Sequence, residues 1–595
     1  MILIFGGTTE GRAAVDVLDT AGHEYYYSTR GAGQQIECSH GIHVVGAMES
    51  TDMEAFCLKH EIRLLVDAAH PFAEKLHQNI AFVSEKLQIP VVRYERIYPA
   101  RNPKWIWCDS YSDAVDWLRK HKIKNLLALS GVQTIPKLRT WWSEHPSWFR
   151  VLNRQESIDL AQHYGFPKER LVFFDANNSE EALVDKLQPD AILTKESGES
   201  GYFAAKVEVA VRKDIPLIVI KRPALPEGFY IVSGKQGLRY RVERLVPGFF
   251  QLRTGFTTGS CACAAAKSAL KTLITGEEYS RMDIMLPNGE TVELPICRTS
   301  RNEHSVTCIV KKDSGDDPDV TNGCEIWATV ELADKLGITF KAGRGVGTVT
   351  LPGLGLDVGE PAINSVPRRM ITSELNKLLQ SAARQQGVSV VISVPGGEEL
   401  AAKTFNPKLG IVGGISIIGT SGIVRPFSLE AFLASIRKEI QVAKALGCRH
   451  VVINSGAKSE KALRVRFPEF IPQAFIHYGN YIGDTLKIIE QEGIEQVTMG
   501  IMIGKAVKLA EGNTDTHSRN VVMNKDFIAS LLRESGCEEK MCMKIYRFSL
   551  ARELWDLLPI EHPFYNLLVQ KCKEVCYEFL SNSQLDIILI PESHL

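Results

Sequence analysis

Over the first 245 residues, short apolar runs alternate with polar or glycine-bearing turns and then with stretches of helical spacing. Ile2–Phe5, Glu24–Tyr27, Leu64–Val66, Ile89–Val92, Leu126–Leu129, Ala191–Leu193 and Leu217–Ile220 read as buried strands, and Ala13–Leu18 as the start of a helical face. Continuous apolar runs of this length, each followed by a helix, predict parallel strands covered on both faces. The pattern changes near residue 250. An alanine-rich helix is expected from Cys261 to about Ile274, closed by Gly276, then a strand Ser305–Val310 and several apolar segments interrupted by glycine. From about 431 the strand–helix rhythm returns, with a helix over Leu429–Leu446 and strands over His450–Ile453, Gln496–Met499 and Leu585–Ile590. The expected fold class is α/β: two parallel-sheet domains (1–120 and 121–245), an α+β domain (250–430) and a final α/β domain (431–595). The segment 230–251, charged and carrying Pro247-Gly248, is expected to be the junction between the halves.

Length agrees with this division, since 595 residues at roughly 150 per domain give about four domains. A formal charge of −1 and no long basic tract argue against nucleic acid or an anionic membrane as partner. Any anion site must therefore be built locally. The thirteen cysteines form no CxxC pair and no zinc-finger spacing with histidine, which suits reduced thiols in a cytoplasmic protein and no metal site. No apolar run reaches the roughly 18 residues of a membrane helix. The state of assembly, monomer or homo-oligomer, is left open.

Candidate chemistry in the first half gathers at strand ends, where open parallel sheets bind ligands. Gly6-Gly7-Thr8-Thr9-Glu10-Gly11-Arg12 follows the first strand and opens a helix, so its N–H groups and helix dipole suit a phosphate. The second strand ends in Ser28-Thr29-Arg30 where an acid would accept a ribose hydroxyl, which leans towards a 2′-phosphate. His70, Arg93, Lys195, Ser197 and Arg222 end later strands, and the recurring cations favour an anionic ligand. His70 taken alone is a loop histidine before it is a catalyst.

GGTTEGR at 6–12, DAAHPFA at 67–73, RYER at 93–96 and LTKESGESGYFAAK at 193–206 resemble the precorrin-6A reductases of cobalamin biosynthesis. The resemblance covers about 245 residues and implies two Rossmann-like domains that reduce a corrinoid double bond with NAD(P)H. It further implies that 6–12 and 28–30 hold the cofactor, that Arg93, Lys195, Ser197 and Arg222 hold substrate carboxylates, and that His70 lines the site as a catalytic candidate. The chain departs from that family's pattern at Ser130-Gly131-Val132-Gln133 and at Asp175-Ala176-Asn177-Asn178.

In the second half, VKKDSGDDPDVTNGC (310–324) packs Asp313, Asp316, Asp317 and Asp319 around Gly315 and Pro318 at a strand end. Such crowding repels, so the aspartates cap backbone, hold a cation or meet a substrate. Thr257, Thr258 and Ser260 begin the alanine-rich helix, with Ser260 a natural N-cap and the turn a second anion seat. Glycines recur inside apolar segments at 343–347, 396–397, 413–419 and 500–504 at a cost of roughly 0.5–1 kcal/mol each, for which close backbone approach to a ligand is the economical reason.

LRTGFTTGSCACAAAK and the acidic run, in this order with the later segments, closely resemble cobalt-precorrin-5B carbon-1 methyltransferases from about 250 past 520. The resemblance implies S-adenosylmethionine as methyl donor, with Gly413, Gly414, Gly419, Thr420, Gly504 and Lys505 as candidate contacts. Thr257, Thr258 and Ser260 are candidates for the cobalt-corrinoid substrate, and Asp316, Asp317 and His517 for catalysis. Met502 stands where that family has histidine. Together the two resemblances imply a bifunctional enzyme of the anaerobic, early-cobalt route. The residues alone leave two rivals open: a dehydrogenase fused to a Mg²⁺-dependent nucleotide enzyme, or a nucleotide-sensing regulator.

Overall fold

A computed structural model of the chain describes residues 1–31, 36–174, 180–518 and 521–591. The departure noted at Asp175–Asn178 lies outside the described residues. The chain forms two compact units, essentially Met1–Arg253 and Thr254–Leu595.

The first unit holds two six-stranded sheets. In one, the strand Ile2–Phe5 has Tyr25–Thr29 and then Gly41–Val45 on one side; on the other lie Leu64–Asp67, Val91–Glu95 and Tyr230–Ser233. Every pairing is parallel. Ile2–Phe5 and Leu64–Asp67 are buried throughout, which is why they read as unbroken apolar runs. The other sheet repeats the plan around Leu126–Leu129. Ser147–Val151 and Leu171–Phe173 lie to one side, and Ala191–Lys195, Leu217–Ile220 and Ile106–Cys108 to the other, again all parallel. Each sheet reverses direction beside its central strand, so each has a crevice at carboxyl strand ends.

The domain limits differ from those expected at 120 and 230–251. Ile106–Cys108 joins the second sheet, whereas Tyr230–Ser233 and the helix Gly234–Leu245 return to the first. The segment is no linker: Leu238, Val242, Phe249 and Phe250 enter the same core as Ile4 and Val66. An edge strand buries few positions (only Val232 here), so its apolar signal is weak and its charges dominate the reading.

In the second unit a five-stranded sheet orders Arg298–Arg301, Ser305–Lys311, Glu325–Ala333, Gly387–Ser393 and Ile338–Ala342, antiparallel except for the last pair. The helix Thr258–Thr275 packs on it, its alanines letting backbone and sheet come close. A four-stranded parallel sheet follows, ordered Phe475–His477, His450–Asn454, Gln496–Met502 and Gln584–Ile590. The chain's last strand, Gln584–Ile590, therefore completes this sheet, and the helix Pro563–Cys576 packs into its core. No helix among the described residues is long and apolar enough to cross a membrane.

Candidate functional site

The glycine turn lies at the crevice of the first sheet. Thr8 caps the helix Thr9–Asp19 by accepting from Gly11 N–H at 3.0 Å, and its hydroxyl donates to Ala68 O at 2.7 Å, tying together the loops that follow the two central strands. Gly6 and Gly11 are required by Tyr27: a β-carbon on either would lie 2.3 Å or 2.9 Å from its hydroxyl. That hydroxyl accepts the Gly7 N–H at 2.9 Å, and Gly6 N–H goes to Ser28 O. Fewer N–H groups are left for a phosphate than the sequence suggested. Space does remain, because nothing approaches within 4 Å of a β-carbon built on Gly7, whose φ is +91°. Thr9, Arg12 and Arg30 are exposed around this opening, while Ser28 is buried and Thr29 bonds His43 Nε2 at 2.7 Å. Glu10, the first acid of the helix, pairs with Arg96 at 3.0 Å and so brings no uncompensated negative charge. Glycine turn, helix start and exposed arginines together fit a phosphate-bearing cofactor.

Arg93 departs from its expected role. It is wholly buried, donates to Asp67 Oδ1 at 2.8 Å and pairs with Glu95 at 3.4 Å, so its charge is engaged inside the fold. A strand interior buries both faces, and a cation there must be paired. Asp67 also bonds His77 Nδ1 at 2.6 Å, and His77 Nε2 reaches His70 O at 3.2 Å, so this network supports the His70 loop from below. His70 Nδ1 accepts from Phe72 N–H at 3.2 Å. Its pKa is lowered to about 3 by removal from water and then by Arg96, Lys195 and Arg93. The ring still meets solvent on one side. The geometry agrees, because a ring nitrogen that accepts from a backbone N–H carries no proton.

The other cations line two cavities. Arg222 borders one of about 860 Å³ with Arg101, Lys137 and Lys221. Its guanidinium lies 3.6 Å from the Tyr98 ring centroid and 3.3 Å from Glu196, which also holds Arg101 at 2.8 Å. One carboxylate thus faces two guanidinium groups, while Glu74, Glu95 and Asp109 also line this cavity and Asp109 pairs with Lys221 at 2.8 Å. Lys195 and Ser197 line a smaller cavity of about 230 Å³ with His70, Arg150 and Lys206. Burial first, and then Lys137, lowers the Lys195 pKa to about 8. The expected trio Arg93, Lys195 and Arg222 is thus divided between the core and two cavities. Lys206 and Arg150 escaped the sequence reading. The available signal was a lysine on the apolar face of the helix Phe203–Arg212, among Phe203, Val209 and Ala210.

In the second unit most of the acidic run is structural. Asp319 pairs with the buried Lys312 at 2.7 Å and caps Thr321 N–H at 2.8 Å; Asp313 caps Gly315 N–H at 2.9 Å; Asp317 accepts Phe427 N–H at 3.1 Å. Asp316 is exposed. Among the described residues no group of three or more His, Cys, Asp or Glu side chains is placed to hold a metal ion.

The helix start differs from expectation too. Thr257, not Ser260, is the N-cap, accepting Ser260 N–H at 3.2 Å. Ser260 Oγ donates to Gly422 O at 2.7 Å, and Thr258 Oγ1 accepts Ile418 N–H at 2.8 Å, so these hydroxyls fasten the 416–422 loop and form no anion seat. Several of the glycines approach other backbone or side chains closely. A β-carbon on Gly414 would lie 2.2 Å from Gly345 C, one on Gly397 2.1 Å from Gly345 O, and one on Gly419 2.2 Å from Thr257 Oγ1. Gly413 and Thr420 stay exposed.

His517 N–H bonds Asp515 Oδ1 at 3.0 Å in the loop after the helix Ile503–Ala510. Gly504 and Lys505 form the first turn of that helix at a carboxyl strand end. Lys505 donates to Gly479 O, and burial with Lys508 nearby lowers its pKa to about 8.

The precorrin-6x reductase CbiJ/CobK family model matches residues 1–238, the CbiD model 247–426 and the CbiD C-terminal domain 515–594. The cobalt-precorrin-5B C(1)-methyltransferase of Prosthecochloris aestuarii is 46% identical over 346 residues, covering 57% of this chain and 94% of that protein. That of Geobacillus kaustophilus is 45% identical over 323 residues, covering 54% and 87%. Among solved structures, CbiD from Archaeoglobus fulgidus is 30% identical (45% of this chain, 83% of that one, TM-score 0.26). A CobK precorrin-6A reductase is 20% identical (41% and 97%, TM-score 0.35). The chain belongs to the cobalt-precorrin-5B C(1)-methyltransferase family through its second unit and carries a CbiJ/CobK-type reductase in its first, and it is a bifunctional methyltransferase and reductase of cobalamin biosynthesis.

Proposed function

We propose that the second unit methylates carbon 1 of cobalt-precorrin-5B from S-adenosylmethionine, and that the first reduces the product, cobalt-precorrin-6A, to 6B with NAD(P)H, on the anaerobic early-cobalt route. The observation that supports this most is the pairing of two matches on one chain, one to each family, with the methyltransferase relative covered over 94% of its length.

When bound, the nicotinamide cofactor supplies a hydride. The opening over Gly7, the helix start at Thr9 and the exposed Arg12 and Arg30 would hold its phosphates, with Arg30 favouring NADPH. His70, neutral at physiological pH, lines the crevice without competing for the substrate's carboxylates. Arg222 and Lys195 supply the positive charge that a polycarboxylate ring requires. Hydride transfer is then mainly positioning. For methyl transfer, Asp316, Asp317 and His517 are proposed to orient the ring carbon and accept its proton. Of the candidate donor contacts, Gly413 and Thr420 remain exposed, whereas Gly414 packs tightly against Gly345.

The test uses the full chain with both corrinoids. Gly7→Asp places a carboxylate in the phosphate opening at a positive φ that aspartate tolerates better than most residues. It should abolish reduction and leave methylation intact, whereas undiminished NADPH affinity in that variant overturns the cofactor assignment. Near-normal single-turnover methylation in both Asp317→Asn and His517→Ala would remove those residues from the chemistry.

A further inference from the structure

We propose that the smaller cavity of the first unit is a subsite for one carboxylate arm of the substrate, with Lys206 and Arg150 joining Lys195 as its specificity-determining residues. This rests on the reductase reading above. The cavity of about 230 Å³ opens at the carboxyl ends of the second sheet and has His70, Arg150, Lys195, Ser197 and Lys206 in its wall, with no aspartate or glutamate among the described residues. Folding alone does not explain it. Lys206 is 5% exposed, and its ammonium meets one carbonyl, Gly201 O at 3.0 Å. Lys195 rests over the Phe72 ring at 5.2 Å. Among the described residues neither lysine has a carboxylate partner, whereas Arg150 is paired with Glu180. Two ammonium groups facing one cavity raise each other's cost, and a bound anion removes that cost for both.

Size and position choose the anion. Ligand pockets for whole small molecules run to about 300–1,000 Å³, so this cavity suits a single side arm better than a nucleotide or a macrocycle. The glycine turn, helix start and exposed arginines that suit a dinucleotide belong to the first sheet, on the strand Ile2–Phe5. The second sheet's crevice is left to the other reactant.

The full-length chain tests this with Lys206→Met and Lys195→Met, which keep side-chain length and remove charge. Lys213→Met, at the C-cap of the same helix and paired with Asp185 away from the cavity wall, is the control. NADPH-dependent reduction is followed with corrinoid and cofactor varied in turn. Each cavity variant should raise KM for the corrinoid about tenfold or more, with kcat and KM for NADPH within about twofold of wild type. Inorganic phosphate should compete with the corrinoid in wild type and lose that competition in Lys206→Met. A rise in KM for NADPH instead would mean that the cavity holds a cofactor phosphate and would overturn the proposal, as would unchanged KM for both. Failure of the wild-type chain to reduce any corrinoid would overturn the reductase reading itself; phosphate binding by the wild-type chain and its loss in Lys206→Met would then still report on the anion site.

Discussion

Asp67 and Arg93 are register partners on adjacent parallel strands, and the guanidinium donates to Asp67 Oδ1 over 2.8 Å with neither side chain reaching solvent. The pair sits directly below the loop that carries His70. Removing one member of such a pair leaves the other charge buried and unpaired, at a cost of about 3–5 kcal/mol. Arg93→Met should therefore lower the unfolding temperature of the reductase unit markedly and leave KM for the corrinoid of the surviving folded enzyme near wild type. A variant with normal thermal stability but a raised KM would return Arg93 to the substrate site.

Lys195 carries a pH dependence of definite sign. Its pKa, lowered to about 8 by burial and Lys137, means that an ammonium present at neutral pH is lost as pH rises through 8. Lys206, lowered to about 7 by burial and then Arg150, faces the same cavity and titrates first, and His70 stays neutral throughout. An anion that needs these charges binds more weakly as they disappear. KM for the corrinoid should rise above neutrality, by about tenfold for each of the two charges lost, while kcat changes little. Lys195→Arg should flatten the upper part of that rise, and an unaltered profile in this variant would show that another group sets it.

Much of this was legible in the sequence, for reasons visible at particular residues. Ile2–Phe5 and Leu64–Asp67 are buried on both faces, so composition alone marks them as strands. Thr8 and the glycines around it were found because turn chemistry is local. What the sequence concealed depends on partners distant along the chain. Gly6 looks ready for a phosphate until Tyr27, twenty-one positions on, fills the space above it. Arg93 resembles a ligand clamp until the next strand supplies Asp67. Tyr230–Ser233 looks like linker because an edge strand has little to bury.

The glycines of the methyltransferase unit yield a paired prediction. Gly345 has φ +74°, and a β-carbon there would lie 1.9 Å from Val394 O. Gly413 has φ +86° with open space around it. Gly345→Ala combines overpacking with backbone strain and should destabilise the second unit by about 2–4 kcal/mol; Gly413→Ala meets strain alone and should cost about 1 kcal/mol. In both, NADPH-dependent reduction of added substrate should persist. Equal effects on methylation and thermal unfolding would mean that the close backbone contact at Gly345 is not what the glycine is for.

The place at which the two activities can be separated follows from Phe249 and Phe250. Both are buried in the core of the first sheet with Ile4, Val66 and Leu238, although they lie beyond the Pro247-Gly248 pair that marks the junction in the sequence. A break at Gly248 would strip two aromatic side chains from that core, each worth about 3–5 kcal/mol on removal. A break at Arg253, where the main segment of the first unit ends, would keep both and remove only Gly289–Val292 from that unit. Reductase 1–253 should therefore fold and reduce cobalt-precorrin-6A, whereas 1–248 should unfold at a much lower temperature or aggregate. The correctly cut halves, mixed at micromolar concentration, then test the linkage itself. A short tether gives an effective concentration of order millimolar, so the intact chain should keep free intermediate scarce while the severed pair lets it accumulate after a lag. Equal lag and equal intermediate level in the two preparations would show that joining the enzymes confers no kinetic advantage.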